Sequence, residues 1–243
     1  MNDWVTWQLA DSAFPTGGFA HSNGLEAACQ NGEVRSANDL AGWLEASLNQ
    51  LGHGSLPFVT AFHDGQLSFE ELDRVCDCFT LNHVANRASR LQGKALWTNA
   101  KKIFGLPHLD SGRNLRHCSN EEQLETKHSD PMSGEETTAA TAAPFYHLAP
   151  TFGAVTRALD FGREPAARLF MFLHLRGVVA GAVRLGIVGP VQGQTLEHRF
   201  GARCEVLLTR FLNFTIDDLA QPAPLLEIWQ GTQDRLYSRL FQS

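Results

Sequence analysis

The sequence predicts an all-α protein, a single-domain bundle of about eight to ten helices if helices average ~11 residues. Three observations lead there. Apolar residues recur three, four, seven and eight positions apart along most of the chain. No stretch alternates apolar and polar residues with the period of two that a half-buried strand requires. Ser, Asn, Pro and Gly punctuate the apolar runs where helices start and stop.

The first helix begins near Trp4 and must stop by Ala13, because Pro15 fixes its own φ and pushes Phe14 out of the helical region. Gly17 and Gly18 permit positive φ and close backbone approach. Ser22 then offers a hydroxyl to cap a short helix over residues 24–30, which Asn31 and Gly32 stop. Ser36-Ala37-Asn38-Asp39 is a variant capping box, and behind it Leu40, Trp43, Leu44, Leu48 and Leu51 form one apolar stripe that ends at Gly52-His53-Gly54. Pro57 suits the first turn of a helix carrying Phe58, Val59, Ala61 and Phe62 as far as Gly65. Ser68-Phe69-Glu70-Glu71 is a second capping box, followed by Leu72, Val75 and Phe79 in a pattern that can run to Val84 or beyond. Leu91, Ala95, Leu96, Ile103 and Phe104 continue it, so this region is either one long helix or one interrupted near Ser89, closed by Gly105 and Pro107.

Over residues 108–143 the periodicity vanishes into Ser, Asn, Glu, Thr, Lys and His, the composition of a polar flexible insert. Order resumes near Phe145. Residues 152–159 read as a short helix, and Pro165 opens a longer one with Leu169, Phe172, Leu173, Val179 and Val183 on its core face. Gly177 and Gly181, four apart on that helix, allow another helix to approach closely. A glycine-punctuated turn over residues 186–193 precedes a helix with Leu196, Phe200, Val206, Leu207 and Phe211. Pro222 and Pro224 restart the chain for a final helix containing Leu226, Trp229, Leu236 and Leu240.

At 243 residues, 43% hydrophobic and 19% charged, the chain can bury one sizeable core without a second domain. Its net charge of −6 and pI near 5.9 argue against a nucleic-acid footprint, which needs clustered Lys and Arg, and favour basic partner surfaces. Five cysteines (Cys29, Cys76, Cys78, Cys118 and Cys204) show no disulfide framework. Met1-Asn2-Asp3-Trp4 lacks a basic leader, and Arg184 breaks the most apolar run, residues 178–188, well short of the ~20 residues a membrane span needs. The expected setting is cytoplasmic and reducing, with no membrane and no nucleic acid.

The least generic stretch is residues 11–26, where turn residues crowd between two helical patterns and Phe14 and Phe19 flank the glycines. It reads as a buried interhelical loop, or as a site in which His21 and Glu26 reach a common surface. No phosphate-binding lysine loop, serine elbow or His-Glu-x-x-His helix occurs, so an enzyme is not expected. Cys76 and Cys78, two apart on a helix, do not face each other and read as small core thiols. His108, His117, Cys118 and His128 lie in the polar insert at irregular spacing, where weak capture of Ni²⁺ or Zn²⁺ is the most they offer. Arg90 and Lys94, i and i+4, make a small basic ridge that is either a solvated face or a partner contact. Tyr237, Arg239, Leu240 and Phe241 together have the composition of an interface anchor in a terminal segment that otherwise would fray.

Four patches of the chain, in order, resemble the urease accessory protein F family. They are Phe14-Pro15-Thr16-Gly17-Gly18-Phe19-Ala20-His21-Ser22-Asn23-Gly24-Leu25-Glu26, then Ser89-Arg90-Leu91-Gln92-Gly93-Lys94-Ala95-Leu96, then Gly181-Ala182-Val183-Arg184-Leu185-Gly186 with Gly189, and last Leu236-Tyr237-Ser238-Arg239-Leu240-Phe241-Gln242-Ser243. The resemblance implies a non-enzymatic nickel-delivery scaffold, a homodimer of all-helical subunits. It would bridge a nickel-carrying urease GTPase and a second accessory protein that docks apo-urease. It further implies that Phe14, Pro15, Thr16, Gly17, Gly18, Ser22 and Glu26 gate nickel passage or meet a partner. Arg90, Gln92 and Gly93 would form a central or partner surface, and Tyr237, Arg239, Leu240 and Phe241 would assemble partners. Nickel would be transient, no cofactor would be bound stably, and His21 is either a hydrogen-bonding loop residue or a metal contact shared by two copies across a two-fold axis. Gln233 stands where the family often has a histidine, which departs from any terminal metal role. Two alternatives stay open: a GTPase-activating protein with Arg90 or Arg239 as an arginine finger, and a helical adaptor unrelated to nickel.

Overall fold

The computed structural model describes residues 3–65, 67–107 and 143–243. Among them the chain is all-α. Ten α-helices follow one another: α1 (Asp3–Ala10), α2 (Leu25–Gln30), α3 (Ala37–Gly54), α4 (Leu56–Asp64), α5 (Phe69–Phe79), α6 (His83–Phe104), α7 (Leu148–Ala158), α8 (Arg163–Arg184), α9 (Pro190–Phe211) and α10 (Pro224–Thr232). Short 3₁₀ turns at Gly18–Ala20, Ile216–Asp218 and Gln233–Arg235 join them.

Local chemistry sets most boundaries. Ser36 Oγ accepts the Asp39 N–H to start α3, and the Ser68–Glu71 pair closes a full capping box on α5. Gly65 and Gly105, both at positive φ, end α4 and α6. The stripe predicted for α3 is buried throughout, Leu40, Leu44 and Leu48 completely.

The helices form a bundle in which α7 packs on α4 and α6, α8 packs along α9, and α3 crosses α8 and α9. Their buried side chains make a continuous cluster from Leu9 to Phe211. Helix α8 is long and apolar enough to cross a membrane by length and composition alone, yet it lies in this core: Ala166, Leu169, Met171, Leu175, Val179 and Ala182 are all buried. The chain enters α7 through a segment fixed by Asp73. That buried carboxylate accepts the backbone N–H of Phe145, Tyr146 and His147 at 2.6, 2.9 and 2.7 Å. His147, fully buried, then bridges Ser89 Oγ and Asp77 Oδ1 at 3.1 and 3.0 Å.

Several expectations change. The break in the α5–α6 region falls at residues 80–82, not near Ser89: Thr80 caps α5, and the Asn82 side chain accepts the N–H of Val84 and Ala85 to start α6, which runs unbroken through Ser89. The last helix stops at Thr232, so Leu236 and Leu240 lie in an extended tail, Leu240 being 53% exposed. Phe172 and Val206, assigned to core faces, are exposed, because α8 and α9 turn those sides to solvent. Cys76 is a core thiol, as its type suggests, whereas Cys78 faces water. Gly181 is approached by Phe241 and Leu25 rather than by a packed helix alone, and Gly177 meets nothing. Helix α7 starts four residues earlier than residue 152, and α9 starts at Pro190, which puts Gly193 inside a helix. The reading of residues 108–143, with His108, His117, Cys118 and His128, falls almost wholly outside the described residues.

Candidate functional site

The four sequence patches meet around one cavity of about 760 Å³. The loop after α1 forms its rim, α6 and α8 form two walls, and the tail closes one side.

Local sequence builds the rim. Phe14 is buried and stacks on Phe104 with ring centroids 6.1 Å apart, while the Pro15 carbonyl accepts Asn99 Nδ2 from α6 at 2.8 Å. Gly17 takes φ 74°, a left-handed turn closed to most side chains, and Gly18 runs so close to Gln92 that a β-carbon would sit 3.3 Å from Gln92 Oε1. Thr16 Oγ1 accepts the Gly18 N–H at 3.4 Å. The cap expected of Ser22 is displaced: Gly24, at φ 84°, occupies the N-cap position of α2, and Ser22 Oγ accepts only a long 3.4 Å bond from the Glu26 N–H while donating to the Ser243 carbonyl at 3.1 Å. Gly24 also touches α10, where a β-carbon would come within 2.7 Å of the Gln230 nitrogen.

Glu26 organises the site. It is 2% exposed, and its carboxylate accepts the Leu240 N–H at 2.6 Å, the Phe241 N–H at 3.1 Å and Gln233 Nε2 at 2.6 Å, with Gln30 Nε2 at 3.5 Å. A buried carboxylate is costly unless backbone and amide donors surround it, and here the donors come chiefly from the tail. The tail is tied further by Gln242 N–H to the Ala20 carbonyl at 2.8 Å and by Gln30 Nε2 to the Ser238 carbonyl at 2.8 Å. Arg184, at the end of α8, lies between two rings, its Cζ 4.4 Å from the Phe19 centroid and 4.2 Å from that of Phe241, and donates to the Phe19 carbonyl. One guanidinium thus joins loop, helix and tail.

His21 is 8% exposed, lines the cavity and has Nδ1 2.5 Å from Ser243 Oγ. Burial, helped by the Arg87 charge, lowers its pKa, so the ring is neutral near pH 7. In the tautomer whose Nδ1–H donates to Ser243 Oγ, Nε2 is the nitrogen with a lone pair for a metal. Among the described residues no three His, Cys, Asp or Glu side chains converge on a point, so one chain offers a single imidazole rather than a closed cage. His174 also lines the cavity, bonded through Nε2 to Ser47 Oγ at 2.6 Å, and burial pulls its pKa down to about 4.

The remaining predicted residues divide. Gly93 is buried inside the α6–α7 contact, where a β-carbon would lie 2.0 Å from the Tyr146 carbonyl, and Gln92 borders the cavity. Arg90 is on the outer face, over the Phe145 ring at 4.8 Å. Phe241 is buried, whereas Tyr237 is fully exposed. Arg239 leaves the site and bonds Asp234 at 3.1 Å, as Arg87 does with two bonds of 3.0 and 2.8 Å. The Arg87 bonds are the chief reason that Asp234 sits below the usual carboxylate range. Sequence reasoning missed Arg184, Gln233 and Asn99. Arg184 carried a signal as the lone charge interrupting an apolar run, and Gln233 as a departure from the family pattern, but neither pointed to the contacts found.

The family model described as UreF matches residues 34–201. The chain is 35% identical over 243 residues to the urease accessory protein F of Arabidopsis thaliana, covering 99% of this chain and 92% of that one. It is 31% identical over 240 residues to the urease accessory protein F of Oryza sativa subsp. japonica, covering 98% and 84%, and 28% identical over 237 residues to the urease accessory protein UreF of an Arthrobacter strain, covering 97% and 95%.

Proposed function

The chain belongs to the urease accessory protein F family, whose members serve urease maturation, and from that membership we propose that it is a cytoplasmic, non-enzymatic scaffold for nickel delivery to urease. It bridges a nickel-carrying GTPase and a second accessory protein that docks apo-urease, as a two-fold dimer of single-domain subunits. Nickel is its cargo and no cofactor is held. The observation that carries this reading is the convergence of loop, α6, α8 and tail on one cavity, with Glu26 and Arg184 coupling the tail to the loop. A partner that takes hold of Tyr237, Leu240 or Arg239 pulls on the same segment that covers His21, so partner binding and access to the cavity are linked. A scaffold can bias its GTPase only through different affinities for the two nucleotide states.

The test is co-expression of the chain with the matching urease GTPase and docking protein, followed by size-exclusion chromatography with light scattering, alongside urease activity in cells deleted for this gene. A complex of all three, loss of the GTPase on truncation after Arg235, and restoration of urease activity by the full chain are expected. A chain that elutes alone as a monomer and leaves urease activity unchanged would overturn the scaffold. Stimulated GTP hydrolysis lost in Arg90→Ala or Arg239→Ala would replace it with the arginine-finger reading.

A further inference from the structure

The cavity is lined mostly by apolar side chains, among them Leu9, Leu51, Phe79, Phe152, Phe170 and Leu173, and its volume of about 760 Å³ lies within the range of small-molecule sites. Charged groups on its lining are sparse. Among the described residues Asp11 and Glu227 are its carboxylates, and both are engaged: Asp11 Oδ1 accepts the Ala13 N–H at 2.9 Å, and Glu227 Oε1 accepts Gln50 Nε2 at 3.1 Å. Arg176 and Arg184, both on α8, are its cations.

The two arginines differ. Arg184 is committed, clamped between the Phe19 and Phe241 rings and donating to the Phe19 carbonyl. Arg176 has its Cζ 5.8 Å from the Phe172 ring centroid, and its guanidinium makes no hydrogen bond and no ion pair among the described residues. It is half-buried, so part of its hydration is lost with no anion in return. Gly177 follows it, and a β-carbon there would meet nothing within 4 Å. Gly177 and Ala180 line the cavity and are also exposed, so the cavity opens to solvent along this stretch of α8. Arg176 stands at that mouth.

Further in, the two imidazoles on the lining add no charge. Burial holds His174 down to about 4, and burial with the Arg87 charge lowers His21, so both rings are neutral near pH 7 and the charge that acts on His21 is itself positive. A cation at the mouth meets a guanidinium; an anion is drawn to it.

We propose that the cavity binds an aliphatic monocarboxylate, its carboxylate on Arg176 at the mouth and its hydrocarbon body against the apolar lining. The planar fork of a guanidinium matches the two oxygens of a carboxylate, and one uncommitted guanidinium at the edge of an apolar chamber fits one carboxylate on one apolar chain. A chamber of this volume excludes a folded partner, and a single free cation leaves a dianion half-neutralised beside apolar walls. The inference goes beyond the scaffold reading and does not depend on it.

The test is equilibrium dialysis of the full chain against radiolabelled decanoate at neutral pH. A single molecule is expected to bind each chain with a Kd of about 100 µM or tighter. Unlabelled octanoate, two methylenes shorter, should compete about tenfold more weakly. Decan-1-ol and decyltrimethylammonium, which lack the anion, should also compete at least about tenfold more weakly than unlabelled decanoate. Arg176→Gln should lower affinity about tenfold, whereas Arg199→Gln on the exposed side of α9 changes nothing. Gly177→Phe keeps Arg176 but sets a ring in the open mouth, and should weaken binding as well, so a folding defect in the arginine variant leaves a second reading. Circular dichroism shows which variants are folded. No binding to the unaltered chain overturns the site, as does competition by decan-1-ol equal to that of decanoate. So does undiminished binding by a folded Arg176→Gln or Gly177→Phe chain. Light scattering on the same samples separates one case: a dimer that takes up no decanoate means that a second copy covers the mouth, and the ligand site falls. Loss of the three-protein complex on co-expression is a separate result and overturns the scaffold alone.

Discussion

Glu26 is a buried carboxylate without a cation partner among the described residues, and its charge is balanced by N–H groups of the tail and of Gln233. Such an arrangement makes the tail's position depend on one side chain. Glu26→Gln keeps the shape but loses the charge that strengthens every bond, and its amide nitrogen faces donors instead of acceptors. The expected loss is about 2 kcal/mol of tail docking. Trypsin reads this directly at Arg235 and Arg239: cleavage of the tail should be more than tenfold faster in the variant, with the midpoint of global unfolding lowered far less. Equal cleavage rates would show that Arg184 and the Ser22–Ser243 contacts hold the tail without Glu26. His21 belongs to the same cluster, and its burial explains why a residue that resembles an exposed ligand in sequence is covered in this conformation.

At the scale of elements, α6 packs on α7 across one face. Its inner face must come close to the chain entering α7, and Gly93 is the position that permits it, since any β-carbon there would overlap the Tyr146 carbonyl. Gly93→Ala gains helix propensity, ~1 kcal/mol, but must push α7 away, so a net destabilisation of about 2–3 kcal/mol is expected by urea denaturation. An unchanged or raised midpoint would mean that the 146–148 segment yields freely. The glycine was visible in the sequence as part of a motif, but its purpose was not, because its partner lies more than fifty positions away. The boundary between α5 and α6 was misplaced for a related reason: apolar periodicity continues across residues 80–82, and what stops α5 is a Thr80 side chain bonded back to the Cys76 carbonyl together with the Asn82 cap.

For the whole molecule, two half-buried histidines must stay neutral. Burial, aided by Arg157 and Arg163, pulls His63 down to about 4, and burial alone does the same to His174. Both folded pKa values lie below the unfolded 6.5, so the unfolded chain binds more protons between pH 6.5 and 4 and stability is lost as pH falls through that window. A histidine that must lose its proton to fold contributes at most about 1.4 kcal/mol per pH unit, and His63 and His174, both half-buried, contribute less. The urea midpoint should therefore drop steadily from pH 6.5 to 4.5, above the range where the paired carboxylates Glu45 and Glu205 begin to protonate. His174→Gln should flatten that slope. A midpoint constant over this interval would show that neither ring is protonated on unfolding.

Sequence alone determined the all-α class, most helix starts and the four patches, because capping residues, positive-φ glycines and apolar periodicity act within a few positions of one another. It also marked residues 14–26 and 237–241 as special. Only the tertiary structure decided what they do together. The bonds from Glu26 to Leu240 and Phe241 and the stacking of Arg184 between Phe19 and Phe241 join residues that are far apart in the chain. Which side chain becomes a buried anchor, as Glu26 does, and which stays at the surface, as Arg90 does, depends on the packing of distant helices, and local pattern carries no record of it.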